Sequence, residues 1–355
     1  MKSTIRMTGA LTALALAAAG TAVATTTGAS AAGAGRTIIA GHLVSPLTAA
    51  ITTTGTAYVS QNFAGSLVKI RPGHSPRTIF QAPKGVEVGA ASVREGVVTF
   101  SVTGKKRQAV LQRDKAGHVT TVANVGAYEK RKNPDSGVTY GFRDIKKACA
   151  SKFPKGFPVK YKGIVDSHPY ATDSGFGSLW VADAAGNDIL RIENGHIIDS
   201  ILLPPVPIKI SAKAAKANHV PACAAGLTYW FEPVPTDVEA AKGQLYVSAL
   251  TGGPEDNSLG KKSRVYTISP VNAEPTLLAK GFAGAVGLAV TPGGDVYVSQ
   301  LFGGVISKLR DGSSVPHTWR SAVQPAAVEF VKGKVYATTN VLAKTPAGRL
   351  VRFGG

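Results

Sequence analysis

The sequence predicts an all-β protein, a six-bladed β-propeller closed by its own N-terminal strand. Three observations lead there: a repeated strand unit, a composition poor in helical periodicity, and one strand left over at the start of the chain. The unit is clearest at Gly294-Asp295-Val296-Tyr297-Val298-Ser299-Gln300. Gly55, Gly96, Gly177, Gly243, Gly294 and Gly333 each stand three residues ahead of a core position, held by Tyr58, Thr99, Trp180, Tyr246, Tyr297 and Tyr336. Two residues further on comes a small side chain: Ser60, Ser101, Ala182, Ser248, Ser299 or Thr338. A turn glycine followed by alternating faces reads as a turn and a short strand. The chain also has 40 Gly and 21 Pro, which suits many short strands rather than long helices.

The first residues read as a targeting segment. Lys2 and Arg6 precede an apolar run from Ala10 to Ala24, and Ala29-Ser30-Ala31 is a small-x-small cleavage site. Residues 1–31 are therefore set aside as a signal peptide cleaved near Ala31, and residues 32–355 as the propeller of a secreted, extracellular protein. No later apolar run approaches the roughly 18 residues of a membrane span, so none is expected. The net charge of +19 favours acidic partners such as a phosphate-rich wall polymer. Basic residues interleaved with aromatics do not occur, which argues against nucleic acid.

In chain order, the first repeat has strands at 46–51, 56–60, 66–70 and 77–80, and the second at 88–93, 97–102, 108–113 and 119–123. The third runs over 168–203, with Asp183-Ala184-Ala185-Gly186-Asn187-Asp188 as its tight central loop. The fourth spans 235–280 and the fifth 285–319. The sixth, at 325–330, 335–339 and 349–353, lacks a fourth strand. Arg36-Thr37-Ile38-Ile39-Ala40 resembles the fourth strands of the other repeats and would supply it. Closure of that kind removes the unpaired edges of an open array.

Two insertions break the period, at 124–166 and 205–232. The first carries ten Lys/Arg against four Asp/Glu and reads as mostly irregular, with helical composition at 141–151, and the second has helical composition at 211–218. Cys149 and Cys223 fall one in each insertion. Two cysteines on neighbouring loops of an exported protein predict one disulfide.

The run Leu179-Trp180-Val181-Ala182-Asp183-Ala184-Ala185-Gly186-Asn187-Asp188-Ile189-Leu190-Arg191-Ile192 resembles the NHL-type propeller repeat. With the leader, the insertions and the pattern at 233–251, residues 36–355 resemble the ScyD/ScyE family of secreted propellers. That resemblance implies the fold and export and no particular activity; the second repeat, with Thr99 in place of the aromatic, departs most from it.

Polar residues expected at the channel mouth are Glu87, Asp166, His168, Asp183, Asp237 and Gln300. Such a ring could hold an oxygen-liking divalent cation, calcium-like in its preferences, or supply an acid and a base. Against this, Asp183 suits a loop cap and His168 a turn before Pro169. Asp237 sits inside an inner strand, where a buried carboxylate needs a partner. No Gly-x-Ser-x-Gly, His-Glu-x-x-His or phosphate-cradling glycine loop is present. The sequence favours a monomeric binding or scaffold module for an unidentified ligand or protein; a third reading tethers the protein to an anionic cell-wall polymer through the basic insertion at 124–166. The alternative is a cation-dependent hydrolase or lyase of the propeller lactonase type, acting at the channel mouth.

Overall fold

Six four-stranded antiparallel sheets surround a central channel in the computed structural model, which describes residues 35–256 and 258–354. The inner strands are Ala49–Ile51, Glu87–Arg94, Pro169–Gly175, Pro235–Ala241, Ala285–Val290 and Val328–Val331, of sheets one to six. Each packs against the inner strand of the next sheet, and sheet six returns to sheet one. The expected signal peptide lies outside the described residues.

The repeat unit works as its residue types require. All six repeat glycines adopt φ between 73° and 94°, a region L side chains rarely enter. The aromatics behind them are buried, and three carry a cation from the partner strand over the ring: Lys69 over Tyr58, Arg191 over Trp180 and Lys308 over Tyr297, at 5.4 to 5.6 Å. In sheet two the aromatic has moved one place, to Phe100, which turns to the opposite face and packs on Phe80 at 4.7 Å between ring centres.

The small hydroxyl position has a backbone cause. Inner strands of sheets two to five shift register where they meet the second strand, which frees polar backbone groups in a dry setting. A hydroxyl takes one up in sheet five, where Ser299 Oγ accepts from Gly287 N at 2.8 Å; in sheet six, whose paired strands keep register, Thr338 Oγ1 accepts from Ala327 N at 2.9 Å just ahead of the inner strand. Others tie neighbouring sheets, with Ser101 Oγ donating to Pro169 O at 2.6 Å and Ser248 Oγ to Val286 O at 3.2 Å.

Sheet six is completed from the other end of the chain. Arg36–Leu43 pairs antiparallel with Gly348–Phe353, setting Thr37 against Arg352 and Ala40 against Leu350. Ala40 and Leu43 enter a buried cluster with Val59, Ile70 and Leu350, so the closing strand joins the core as well as the ladder.

The insertions differ from the irregular loops expected. Strands Lys160–Lys162, Thr139–Phe142, Thr228–Phe231 and Val206–Lys209 form a seventh four-stranded sheet, so neither insertion completes it alone. Its core is Phe142, Val206, Ile210, Tyr229 and Phe231, with Phe142 and Tyr229 edge to face at 4.9 Å. Helix α1, Val125–Lys132, is not among the helices expected; its start is capped by Asn124, whose Oδ1 accepts from Ala127 N at 2.9 Å. Helices α2, Lys147–Ala150, and α3, Ala212–Ala217, fall within the two stretches of helical composition. Cys149 and Cys223 form the disulfide, with Cα atoms 5.9 Å apart.

Deleting residues 35–43 should strip the ladder from Gly348–Phe353 and abolish the single cooperative unfolding transition in scanning calorimetry. An unchanged transition would refute the closure. Replacing Cys149 by Ser should cost at most about 4 kcal/mol, seen only without reductant.

Candidate functional site

The six inner strands enclose a cavity of about 260 Å³. At the strand beginnings Leu47, Tyr170, Val286 and Ala326 belong to one buried apolar cluster, none more than 5% exposed. Beyond them the wall turns acidic, with Asp173, Asp237, Glu239 and Glu329 facing the cavity from sheets three, four and six. Among the described residues, Lys, Arg and His do not line it.

Three of these carboxylates also tie sheets together. Asp173 Oδ2 accepts from Ala240 N at 2.8 Å, Asp237 Oδ2 from Leu288 N at 2.7 Å, and Glu239 Oε2 from Val290 N at 3.0 Å. Each bond runs to the next inner strand around the ring. Burial lifts Asp237 to about 7, its backbone donors holding it back. Burial, followed by the charge of Glu329, raises Glu239 well above the ordinary carboxylate range. Glu329 meets no hydrogen-bond donor among the described residues. Burial, then Asp237 and Asp173, push it well above that range too.

Asp173, Glu239 and Glu329 are not among the residues the sequence singles out, although it holds a signal for them. Each lies opposite the core aromatic of its sheet, pairing with Trp180, Tyr246 and Tyr336. Counting back seven residues from the aromatic finds all three.

The six residues expected at the mouth do not gather in one place. Asp237 faces the channel wall and also partners the next sheet, which meets the demand of a buried carboxylate. Glu87 and His168 approach each other, Oε2 to Nε2, at 3.5 Å. Asp183 is spent on its own loop, accepting from Ser167 Oγ at 2.6 Å, His168 N at 2.5 Å and Gly186 N at 3.3 Å. Gln300 bridges Ala283 N at 2.7 Å and Ser307 Oγ at 2.6 Å, much as Gln61 bridges Val44 N and Ser66 Oγ in sheet one. Asp166 Oδ1 accepts from Ser167 N at 2.9 Å. Among the described residues, no group of three or more His, Cys, Asp or Glu is placed to hold a metal ion, and no helix is long and apolar enough to cross a membrane.

A second set of acids lies where the insertion meets sheet three. Asp135, 1% exposed, accepts from Tyr140 Oη at 3.0 Å and from Asn187 Nδ2 at 3.1 Å. Burial, then Asp183 and Asp135, lift Glu129 to about 8; burial, then Asp135, lifts Glu232 to about 7. Asp188, bonded through Oδ2 to Ser200 Oγ, is raised well above the ordinary range by burial and by Asp183. These acids form the seam that docks the insertion.

No protein-family model matches the chain, and no curated protein does. Solved structures do. The PQQ-bound aldose sugar dehydrogenase of Streptomyces coelicolor is similar with a TM-score of 0.55 at 13% identity, over 89% of this chain and 97% of that one. A putative glucose dehydrogenase of Thermus thermophilus gives 0.53 at 15% identity, over 90% and 99%. The gluconolactonase of Xanthomonas campestris gives 0.52 at 11%, over 90% and 89%. Likeness at this level shows the β-propeller fold alone.

The acid seam sets a pH dependence. Folded Glu129 keeps a proton that the unfolded chain releases near the usual carboxylate value, so stability falls as pH rises from about 4.5 towards about 8. Melting temperature should therefore drop across that window. Glu129→Gln should flatten the drop, and an unaltered slope in the variant would contradict this assignment.

Proposed function

We propose that the channel cavity is a small-molecule site at which Glu329 and Asp237 pass protons to and from a substrate, the chemistry of a hydrolase or lyase. The observation that carries this is an uncapped carboxyl, Glu329, facing the same cavity as an aspartate that titrates at about 7. Paired titratable groups with unequal surroundings divide the roles of acid and base. Glu329, which burial and its acidic neighbours push towards the protonated form, would donate to a leaving oxygen. Asp237, partly ionised and steadied by Leu288 N, would accept a proton from water or from a carbon beside a carbonyl.

The cavity suits a molecule of about sugar size or smaller. The similar structures bear the names of enzymes of aldose sugars, glucose and gluconolactone, so cyclic esters of sugar acids are the substrate class to try first. The PQQ of the Streptomyces protein is a polycarboxylate, and no basic side chain among the described residues lines the wall to pair with it; no step is derived through it. None is derived through a divalent ion either, given the scattered mouth residues.

A second reading is a binding module for a small cation, such as a primary amine. It is favoured by the absence of any basic side chain on the cavity wall. An ammonium group would displace protons from the raised carboxyls as it bound. Under either reading we also propose export, which the disulfide supports, and membership of the ScyD/ScyE family, on the strength of residues 179–192.

Hydrolysis of sugar-acid lactones, followed by proton release, should rise with pH through about 7 as Asp237 ionises and fall as Glu329 loses its proton. Glu329→Gln should lower kcat by about a hundredfold or more. Absence of turnover, together with amine binding that releases protons, would favour the binding module instead.

A further inference from the structure

The insertions sort their charges by direction. Of their five acids, Glu129, Asp135 and Glu232 are buried and Asp166 is half-buried in the seam, so Asp144 alone is exposed. Twelve lysines and arginines of the same segments are exposed. The four ion pairs of the described residues lie elsewhere, at His118–Asp114, His168–Glu87, Arg191–Glu193 and Lys308–Asp295. Lys130, Arg131 and Lys132 close helix α1, where cations suit the helix dipole. That account does not extend to Lys146, Lys152 and Lys155 around the disulfide, or to Lys209 and Lys213 on the second insertion.

A one-signed surface repels itself, and that repulsion is relieved when an anionic partner replaces the diffuse counterions. The residue types narrow the partner. Eleven of the twelve exposed bases are lysines, compact point charges rather than the planar forks that read bases and fixed phosphates. Among the described residues, the insertions show no open aromatic platform for stacking either. Trp230, the tryptophan of the insertion sheet, is covered by Arg143 at 3.8 Å, and the exposed large apolar side chains of the insertions are Ile164 and Val165.

We propose that the exposed lysines of the insertion unit, built from both insertions and locked by Cys149–Cys223, bind a flexible polymer of repeated phosphates that carries no bases. Its affinity comes from counterion release and is independent of the channel.

The test uses the full, oxidised chain and fluorescently labelled long-chain inorganic polyphosphate, with anisotropy read over a range of salt. A fourfold variant, Lys146→Glu, Lys147→Glu, Lys152→Glu and Lys155→Glu, is compared with a control of equal charge on sheets one and two, Lys84→Glu, Lys105→Glu, Lys106→Glu and Lys115→Glu. The insertion variant should bind at least about tenfold more weakly, with a salt slope smaller by about three, while the control stays near the parent. A second variant, Lys209→Glu, Lys213→Glu and Lys216→Glu, should weaken binding in the same direction and guards against misfolding of the first. Equal losses in the control and both insertion variants would overturn the proposal, because net charge alone would then explain binding. Tighter binding of a single-stranded DNA of matched charge would overturn it in favour of nucleic acid.

Discussion

The structure depends on one pairing, that of Arg36–Leu43 with Gly348–Phe353. Without it the ring of sheets has an open edge, and the inner strands lose the circumference that fixes their spacing. With it, each inner strand is held between two neighbours, so register shifts there become fixed features with freed backbone groups at known places. Ser299, at the repeat's small position, settles one of these groups, and Asp237 another at Leu288 N. Asp173 and Glu239 reach backbone N–H groups further along the next inner strand, at Ala240 and Val290.

The channel acids thus have two duties that pull against each other. As acceptors from the next strand they are best ionised, yet their shared burial favours the neutral form. Asp237, with two backbone donors, stops at about 7. Glu329, with none, is raised by burial and by Asp237 and Asp173 without that restraint. The same closure that orders the sheets therefore creates carboxyls that differ in proton affinity within one cavity. That difference is what a proton-transfer site requires.

Much of the fold is legible in the sequence because its constraints are local and repeated. A glycine at positive φ, an aromatic three places on and a small hydroxyl two beyond it are each dictated within one hairpin. The closing strand is readable because sheet six lacks a partner. The insertion sheet is not: its strands come from segments separated by sheet three, and each is only three or four residues long. Helix α1 is hidden by weak amphipathicity, its order coming from the Asn124 cap, the buried Glu129 and a narrow apolar contact of Val125 and Tyr128. The site is legible only in part. Asp237 stands out as a charge inside a strand. Glu239 and Glu329 read as the polar face of an alternating strand, since nothing in one sequence says that this face lines a closed channel. Asp183 and Gln300 have the chemistry of ligands, yet their polar atoms serve neighbouring loops.

The central claim is that Glu329 faces the channel and keeps its proton above the ordinary carboxylate range. Infrared difference spectroscopy between the parent chain and Glu329→Gln tests it most directly, through the carbonyl stretch of a protonated carboxyl. The account predicts that the parent shows this band at about pH 7, that part of it is lost in the variant, and that the remainder titrates away at higher pH. A parent spectrum with no protonated-carboxyl band at that pH, and a variant indistinguishable from it, would contradict the account.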